Sequence, residues 1–573
     1  MYHHWKQKTK ILITAAKLNW SRKAEKNSTG MWKVVNATLG TKSSSPIFNL
    51  INEFSSVLET TENINRKFAS VFTSRTTSQN VDVGPDSQIE WVIDIPSSLV
   101  KEHLSKLNVK KSMGSDLVPA VLYKAAAEWL AQPLAHLFNL SVQEQRFPRR
   151  WKLAHICPVP KTKRPTINDL RPIALLPLPS KILERIVLNT LHPLFVENFG
   201  EEQFGARPSS SMTCALIKVI HHALSALEQS NVSGIQIITY DYAKAFDTLP
   251  HNLIIRQLQK KQFPTAFVEW TKDYLSQRSQ AVRIETTTSN YLPAPSGVPQ
   301  GSVLGPLLFC LSISDLKSQH DPSQLVKYVD DVTLCVPLFK GSNNSHVEDE
   351  HENFLTWSTM NGFNVNPKKC KSLCFLKSKD QTAVPLNNVT PVVTLKFLGV
   401  ILNESFTWND HILNMCSIAS KRMYALRILK PILTKKSLKL IYNGLIRSIL
   451  EYCSPAFGDL PKGLCEKLNR IQSRCHRLIC GSETSECDCD LFSDLSERRE
   501  KACLKLFFKA SSSHMHILHT IIPAQSYRSN RFIQLPVSTS RYLSSFIPFT
   551  TILANDHYRR TQQTPAFAPL HES

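Results

Sequence analysis

The sequence predicts an α+β protein, and three observations carry that reading. β-Branched, apolar runs stop abruptly at carboxylates in two distant places, a glycine- and proline-containing string lies between them, and stretches on both sides show apolar residues at helical spacing. A length of 573 residues is ample for several subdomains around a large core, and a hydrophobic fraction of 42% is ordinary for a globular chain. Lys plus Arg number 68 against 46 Asp plus Glu, a net charge of +22. Such an excess favours polyanionic partners through counterion release, without distinguishing RNA from DNA.

In chain order, residues 1–87 begin basic, turn helical around Leu50 to Thr73, and end in the polar stretch Ser74 to Ser87, which reads as a linker. Apolar periodicity then marks helices across Val121 to Leu140 and Lys181 to Glu197. Pro208-Ser209-Ser210-Ser211 is a turn into a helix from Met212 to Glu228. Ile235-Gln236-Ile237-Ile238-Thr239-Tyr240 is strand-like and stops at Asp241; the alanines, lysine and phenylalanine that follow suggest a helix starting at once. On that helix Asp247 is expected to face away from the strand's end, leaving Asp241 as the candidate ligand.

Leu325 to Val329 and Val332 to Val336 flank Asp330 and Asp331 and read as a hairpin with both acids at its bend. Lys396 to Ile401, then Phe406 to Ile412, read as a hydrophobic strand, a turn and a helix start. Helices are predicted from about Asp410 to Cys480, with Leu440 to Tyr452 and Leu464 to Leu478 strongly patterned. The tail after Gln525 is read as packing in part on these helices, with its last dozen residues disordered.

Crowded carboxylates repel, so a chain that keeps them beside a hydrophobic core is expected to bind a divalent cation there. An isolated Asp-Asp is usually an exposed acidic turn. Two strand-end acid sites change that balance, because together they could hold two metal ions about 3.5 to 4 Å apart, as in polymerases and nucleases. Mg²⁺ suits such a site, since it accepts a few carboxylate oxygens together with phosphates and water.

The string Asp241-Tyr242-Ala243-Lys244-Ala245-Phe246-Asp247 and the string Tyr328-Val329-Asp330-Asp331 resemble the first and third palm motifs of reverse transcriptases of non-LTR (LINE-type, jockey-like) retrotransposons. Between them, Ser296-Gly297-Val298-Pro299-Gln300-Gly301-Ser302-Val303-Leu304-Gly305-Pro306-Leu307-Leu308-Phe309 resembles that family's second motif. Its glycines let backbone approach a template strand or nucleotide closely, and Pro306 suits the first turn of the apolar helix that follows. Lys110 to Asp116, Phe147 to Lys152, Pro158 to Lys161 and Leu170 to Pro177 resemble the family's fingers, and Asn366-Pro367-Lys368-Lys369 its fourth palm motif. Lys396 to Ile412 resembles its primer grip.

The resemblance implies a right-hand polymerase fold: an N-terminal extension and linker (1–87), a reverse transcriptase domain (88–402, with fingers about 88–230 and an antiparallel palm sheet plus helices about 231–402), a helical thumb (403–505) and a C-terminal extension (506–573). It implies RNA-directed DNA synthesis from dNTPs on an RNA template and a DNA primer, with two Mg²⁺ ions on Asp241, Asp330 and Asp331. Arg171 and Lys161 are implied as the triphosphate clamp, suited by charge and, for arginine, by its bidentate fork. Gln300 is implied to hydrogen-bond the incoming nucleotide or the template, and Phe246 to exclude a 2′-hydroxyl. Lys369 is the candidate that protonates departing pyrophosphate, with Lys368 and Lys371 as neighbours.

The chain departs from the family's Gly-Phe-Arg-Pro-Gly-Arg-Ser at Gly205-Ala206-Arg207-Pro208-Ser209-Ser210-Ser211, in a segment expected to face the template. The 14 cysteines are mostly scattered singly in apolar contexts, which suits reduced thiols. Cys475, His476, Cys480, Cys487 and Cys489 crowd together but lack the CxxC-to-CxxH spacing of a zinc site, so zinc is not expected there and the cysteines are read as free beside a thumb helix. No secretory signal or bilayer-spanning stretch is found, which leads to the expectation of a soluble intracellular protein in nucleus, cytoplasm or both. Residues 1–87 show no acid-and-histidine set for an endonuclease, so a fragment, a truncated copy or an incomplete gene is expected. The alternative to an enzyme is a catalytically inactive or domesticated relative that binds RNA.

Overall fold

The structure, a computed structural model, describes residues 28–38, 56–72, 89–162, 164–378, 381–481, 492–526 and 531–563, with Gln7, Ile47, Leu50 and Phe54 as isolated positions. The expected linker at Ser74 to Ser87, and the last ten residues, lie outside that set. Helices and sheets are mixed, in agreement with the α+β class and with a right-hand arrangement of sheet and helical parts.

Strands β1 (Leu153–Pro160) and β2 (Leu170–Leu175) pair antiparallel, and β3 (Val232–Tyr240) follows the long helix Met212–Glu228. Next come β4 (Ser279–Ile284), β5 (Thr287–Thr288) and β6 (Leu292–Pro293), then β7 (Gln324–Tyr328) and β8 (Asp331–Phe339). β9 (Lys371–Leu376), β10 (Thr390–Pro391), β11 (Thr394–Phe397) and β12 (Val400–Asn403) complete the set. One sheet has the order β2-β1-β4-β5, with β6 also on β4; the second has the order β10-β9-β3-β8-β7; β11 and β12 form a separate hairpin.

The second sheet is buried on both faces, which is why its strands read as apolar runs rather than as simple alternation. Ile235, Ile237, Val326 and Cys335 pack against helix Met212–Glu228. Their neighbours Ile238, Leu325, Leu334 and Val336 point the other way, into a larger core shared with helices Leu178–Asn198, His251–Lys260 and Gly305–Ser312. A strand buried on both faces cannot slip by one residue without mispacking each, so the register that places the acids is strongly specified.

The helices Asn409–Leu429, Lys435–Tyr442 and Lys462–Cys480 build a third core, which the N-terminal helix Ser28–Thr38 joins through Met31, Val34 and Val35. Helix Val57–Ala69 begins at Ser56, whose side chain accepts from Glu59 N, and its Ile64 and Phe68 pack beneath the first sheet against Ile156 and Val282. Toward the C-terminus, Tyr542, Phe546 and Ile547 pack in the same core as helix Met212–Glu228. No helix among the described residues is long and apolar enough to cross a membrane.

Candidate active site

The pairing Tyr328↔Asp331 closes the β7–β8 hairpin and leaves Val329 and Asp330 as a two-residue turn. Val329 adopts φ 58°, a left-handed conformation unusual for a β-branched residue. In the antiparallel pair β3–β8 the last partners are Tyr240↔Val332, so one further step sets Asp241 beside Asp331. Asp241 and Asp330 line one cleft of about 510 Å³, and Asp241 and Asp331 line an adjoining one of about 410 Å³. Acids almost ninety residues apart therefore meet at the edge of one sheet.

Their electrostatics are those of carboxylates crowded together and partly desolvated. Burial, together with the negative charge of Asp241, pushes the Asp330 carboxyl above its ordinary value, and Arg171 and Lys369 pull it back in part. Asp331 is raised to about 6 by desolvation, by Asp330 and by Asp241, although its side chain still reaches solvent. Lys369 Nζ donates to both oxygens of Asp241, at 2.9 and 3.1 Å. Asn366, just before that lysine, donates its N–H to Asp241 O at 2.8 Å, which ties the lysine's loop to the end of β3.

The opposite wall of the larger cleft carries Lys161, Arg171, Phe246 and Gln300. Arg171 stands on β2 across from Val159 of β1, and Lys161 follows the end of β1, its N–H donated to Asp169 O at 2.9 Å. The half-buried Phe246 ring stacks on Phe309 with centroids 4.9 Å apart and planes 24° apart, which fixes its orientation from below. Gln300 is held twice: its carbonyl accepts from Ala174 N at 2.8 Å, and its Nε2 donates to Asp247 Oδ1 at 2.8 Å.

Asp247 corrects an expectation. The chain after Asp241 passes through Lys244 at φ 55° before a helix of only four residues, Ala245–Thr248, and this kink turns Asp247 toward the cleft rather than away from it. Desolvation raises its carboxyl to about 6, against the Gln300 hydrogen bond and the charges of Lys244 and Lys161. Arg207 Nη2 donates to Val196 O at 3.1 Å and Gly200 O at 2.9 Å, which closes the C-terminal end of helix Leu178–Asn198.

Phe68 and Val71 also line the larger cleft, and Phe72 the cavity behind Gln300. Sequence reading assigned these residues to an extension outside the polymerase; only their apolar character was visible, and no local pattern links them to a site formed far along the chain. The β11–β12 turn, from Lys396 to Gly399, lines the cavity that holds Asp331. Among the described residues no group of three acidic, histidine or cysteine side chains is spaced to close on a metal ion. Cys475 is buried in the third core. Cys480 is disulfide-bonded, contrary to the expectation of reduced thiols, and Cys487 and Cys489 lie outside the described residues.

Residues 159–402 match the family described as Reverse transcriptase (RNA-dependent DNA polymerase). The chain is 29% identical over 403 residues to the Probable RNA-directed DNA polymerase from transposon BS of Drosophila melanogaster, covering 66% of this chain and 44% of that protein. It is 28% identical over 404 residues to the RNA-directed DNA polymerase from mobile element jockey of the same species, covering 67% and 43%. The chain thus spans less than half the length of these curated relatives. A telomerase structure from Candida tropicalis aligns over 68% of each chain at 10% identity with a TM-score of 0.37.

Proposed function

We infer that this chain, through the reverse transcriptase domain at residues 159–402, is an RNA-directed DNA polymerase of the non-LTR retrotransposon kind, adding dNTPs to a primer 3′-hydroxyl on an RNA template. One observation carries the reading: the acids of the β3 end and the β7–β8 turn share a cleft with a wall of Lys161, Arg171, Phe246 and Gln300. That cleft offers hard anionic oxygens on one side and phosphate-binding cations on the other, the complement of a metal-bound nucleoside triphosphate.

The donor set fits magnesium. Asp241, Asp330 and Asp331 offer carboxylate oxygens without a closed protein cage, and Mg²⁺ characteristically completes its shell with substrate phosphates and water. When bound, such ions lower the pKa of the attacking hydroxyl and neutralise charge developing on the phosphates. Arg171 and Lys161 hold the triphosphate in line with the primer end, so a bimolecular encounter becomes a positioned one. Phe246, pinned by Phe309, stands against the sugar and excludes a 2′-hydroxyl by contact. Gln300, its amide already engaged by Asp247, meets the base pair or template strand with its remaining polar edge. Lys369, released from Asp241, donates a proton to the departing pyrophosphate. The net charge of +22 supports retention of template and primer.

The test is extension of an oligo(dT) primer on poly(rA) with dTTP and Mg²⁺, comparing the full chain with Asp330→Asn. The wild type should extend the primer, whereas the variant should bind the RNA equally well and incorporate nothing. Continued Mg²⁺-dependent synthesis by the variant would overturn the metal assignment.

A further inference from the structure

Val329 is the weak point of the hairpin on which Asp330 stands. A β-branched residue at φ 58° persists only where its surroundings over-determine the turn, because its relaxed state lies at negative φ. The surroundings here come from a segment that precedes Val329 by more than a hundred residues. Glu202 to Phe204 lies parallel beside β7: Lys327 N donates to Glu202 O at 2.7 Å, and Phe204 N donates to Lys327 O at 2.8 Å. Backbone pairing stops there. The N–H of Val329 is met instead by a side chain, Gln203 Oε1, at 3.0 Å, and the same oxygen accepts from Gly205 N at 2.8 Å.

We propose that Gln203 is a positioning residue of the nucleotidyl-transfer site, one whose side-chain oxygen pins the Val329 peptide in its left-handed shape and thereby sets the direction in which Asp330 projects. Gln203 is fully buried, and its Nε2 has no hydrogen-bond partner among the described residues, so the side chain is engaged through its oxygen alone. Without that oxygen the partly buried Val329 N–H would lose the acceptor it has here, an unfavourable state relieved by rotation of the peptide. Rotation returns Val329 toward negative φ and swings the Cα–Cβ bond of Asp330 away from Asp241. The catalytic half of this proposal rests on the polymerase reading; the structural half does not.

The test compares the full-length wild type with Gln203→Met, which keeps volume but loses the acceptor, and with the double variant Gln203→Met/Val329→Gly, in which glycine adopts positive φ freely. Three measurements are made: amide hydrogen exchange of the peptide spanning residues 324–335, Mn²⁺ affinity by paramagnetic titration, and kcat and KM for single dNTP addition. In Gln203→Met, exchange at Val329 should rise about tenfold and Mn²⁺ affinity fall about tenfold. Its kcat should fall by a similar factor, with KM for dNTP changing much less. The double variant should recover most of the Mn²⁺ affinity and kcat, a rescue that mere loss of packing would not produce. Wild-type exchange and wild-type Mn²⁺ affinity in Gln203→Met would overturn the proposal, as would absence of rescue. A wild-type chain that binds Mn²⁺ in this manner yet extends no primer would sink the polymerase reading and leave the brace standing.

Discussion

Replacing Gly297 by alanine should break the link between the Gln300 loop and Phe246, and the structure gives the size of the effect. Gly297 has φ +77°, and a Cβ there would lie 2.5 Å from the carbonyl oxygens of both Phe246 and Asp247. Restoring a contact of about 3.5 Å requires the loop to retreat by roughly 1 Å. That retreat lengthens two hydrogen bonds, Gly297 N to Leu249 O and Val298 N to Phe246 O, both 2.8 Å now. At about 1 kcal/mol for each bond and about 1–2 kcal/mol for alanine in the left-handed region, the variant should lose about 3–4 kcal/mol. Gly341→Ala is the internal control: its φ is +70°, and nothing lies within 4 Å of the added carbon. It should lose only the conformational part, about 1–2 kcal/mol. Urea unfolding of both variants measures the difference, and nucleotide incorporation should be impaired only in Gly297→Ala. Equal stabilities within about 0.5 kcal/mol, with both variants active, would refute the steric argument.

Three further outcomes follow from side chains in or near the cleft. Phe246→Ala should admit ribonucleotides, read as the ratio of kcat/KM for dNTP to that for rNTP; unchanged discrimination would remove the sugar-gate role. Asp247→Asn should stabilise the protein at pH 7 by on the order of 2 kcal/mol, because the aspartate's folded pKa of about 6 lies above its ordinary value near 3.8. For such a group the favourable contribution is complete below about pH 4 and is lost as pH rises through 6, so unfolding at pH 4.5 and pH 7 should show the gain only at the higher pH. Lys327→Met should destabilise by about 3 kcal/mol, since three carbonyls lose their donor, and a urea midpoint equal to wild type would show that the ammonium is dispensable.

The meeting of Asp241 with Asp330 and Asp331 was legible because its signal is written locally: a strand-like run that stops at a carboxylate, and two acids between apolar strands. The strand register that brings Asp241 beside Asp331 follows from the same pattern, as both strands are buried on two faces. Asp247 was misread because a left-handed lysine at position 244 carries no sequence mark; lysine has no preference for that conformation, and the following segments impose it. The contribution of Phe68, Val71 and Phe72 to the cleft walls was invisible, since it depends on helix Val57–Ala69 docking under a sheet whose strand β4 lies more than two hundred residues away.

The two walls of the cleft are also tied together by one buried rod. Helix Gly305–Ser312 follows directly from the loop that carries Gln300, and its first turn is met by the fully buried Glu184, which accepts from Val303 N at 2.7 Å and Leu304 N at 3.2 Å. Burial raises that carboxyl, while those two N–H donors and Ser180 oppose the shift. Beyond the other end, the buried Lys327 donates to the carbonyls of Ile313 and Leu316, each at 2.9 Å, and burial lowers its pKa to about 8. An acid at the N-terminus and a base at the C-terminus both complement the helix dipole. Each charge meets backbone groups that would otherwise go unpaired, so the two fix the place of the rod's ends. Lys327 sits two residues before the strained Val329, and Glu184 grips the residues just after Gln300. A rod about 12 Å long, fixed at each end by directional bonds, therefore sets the spacing between the Gln300 loop and the turn that presents Asp330.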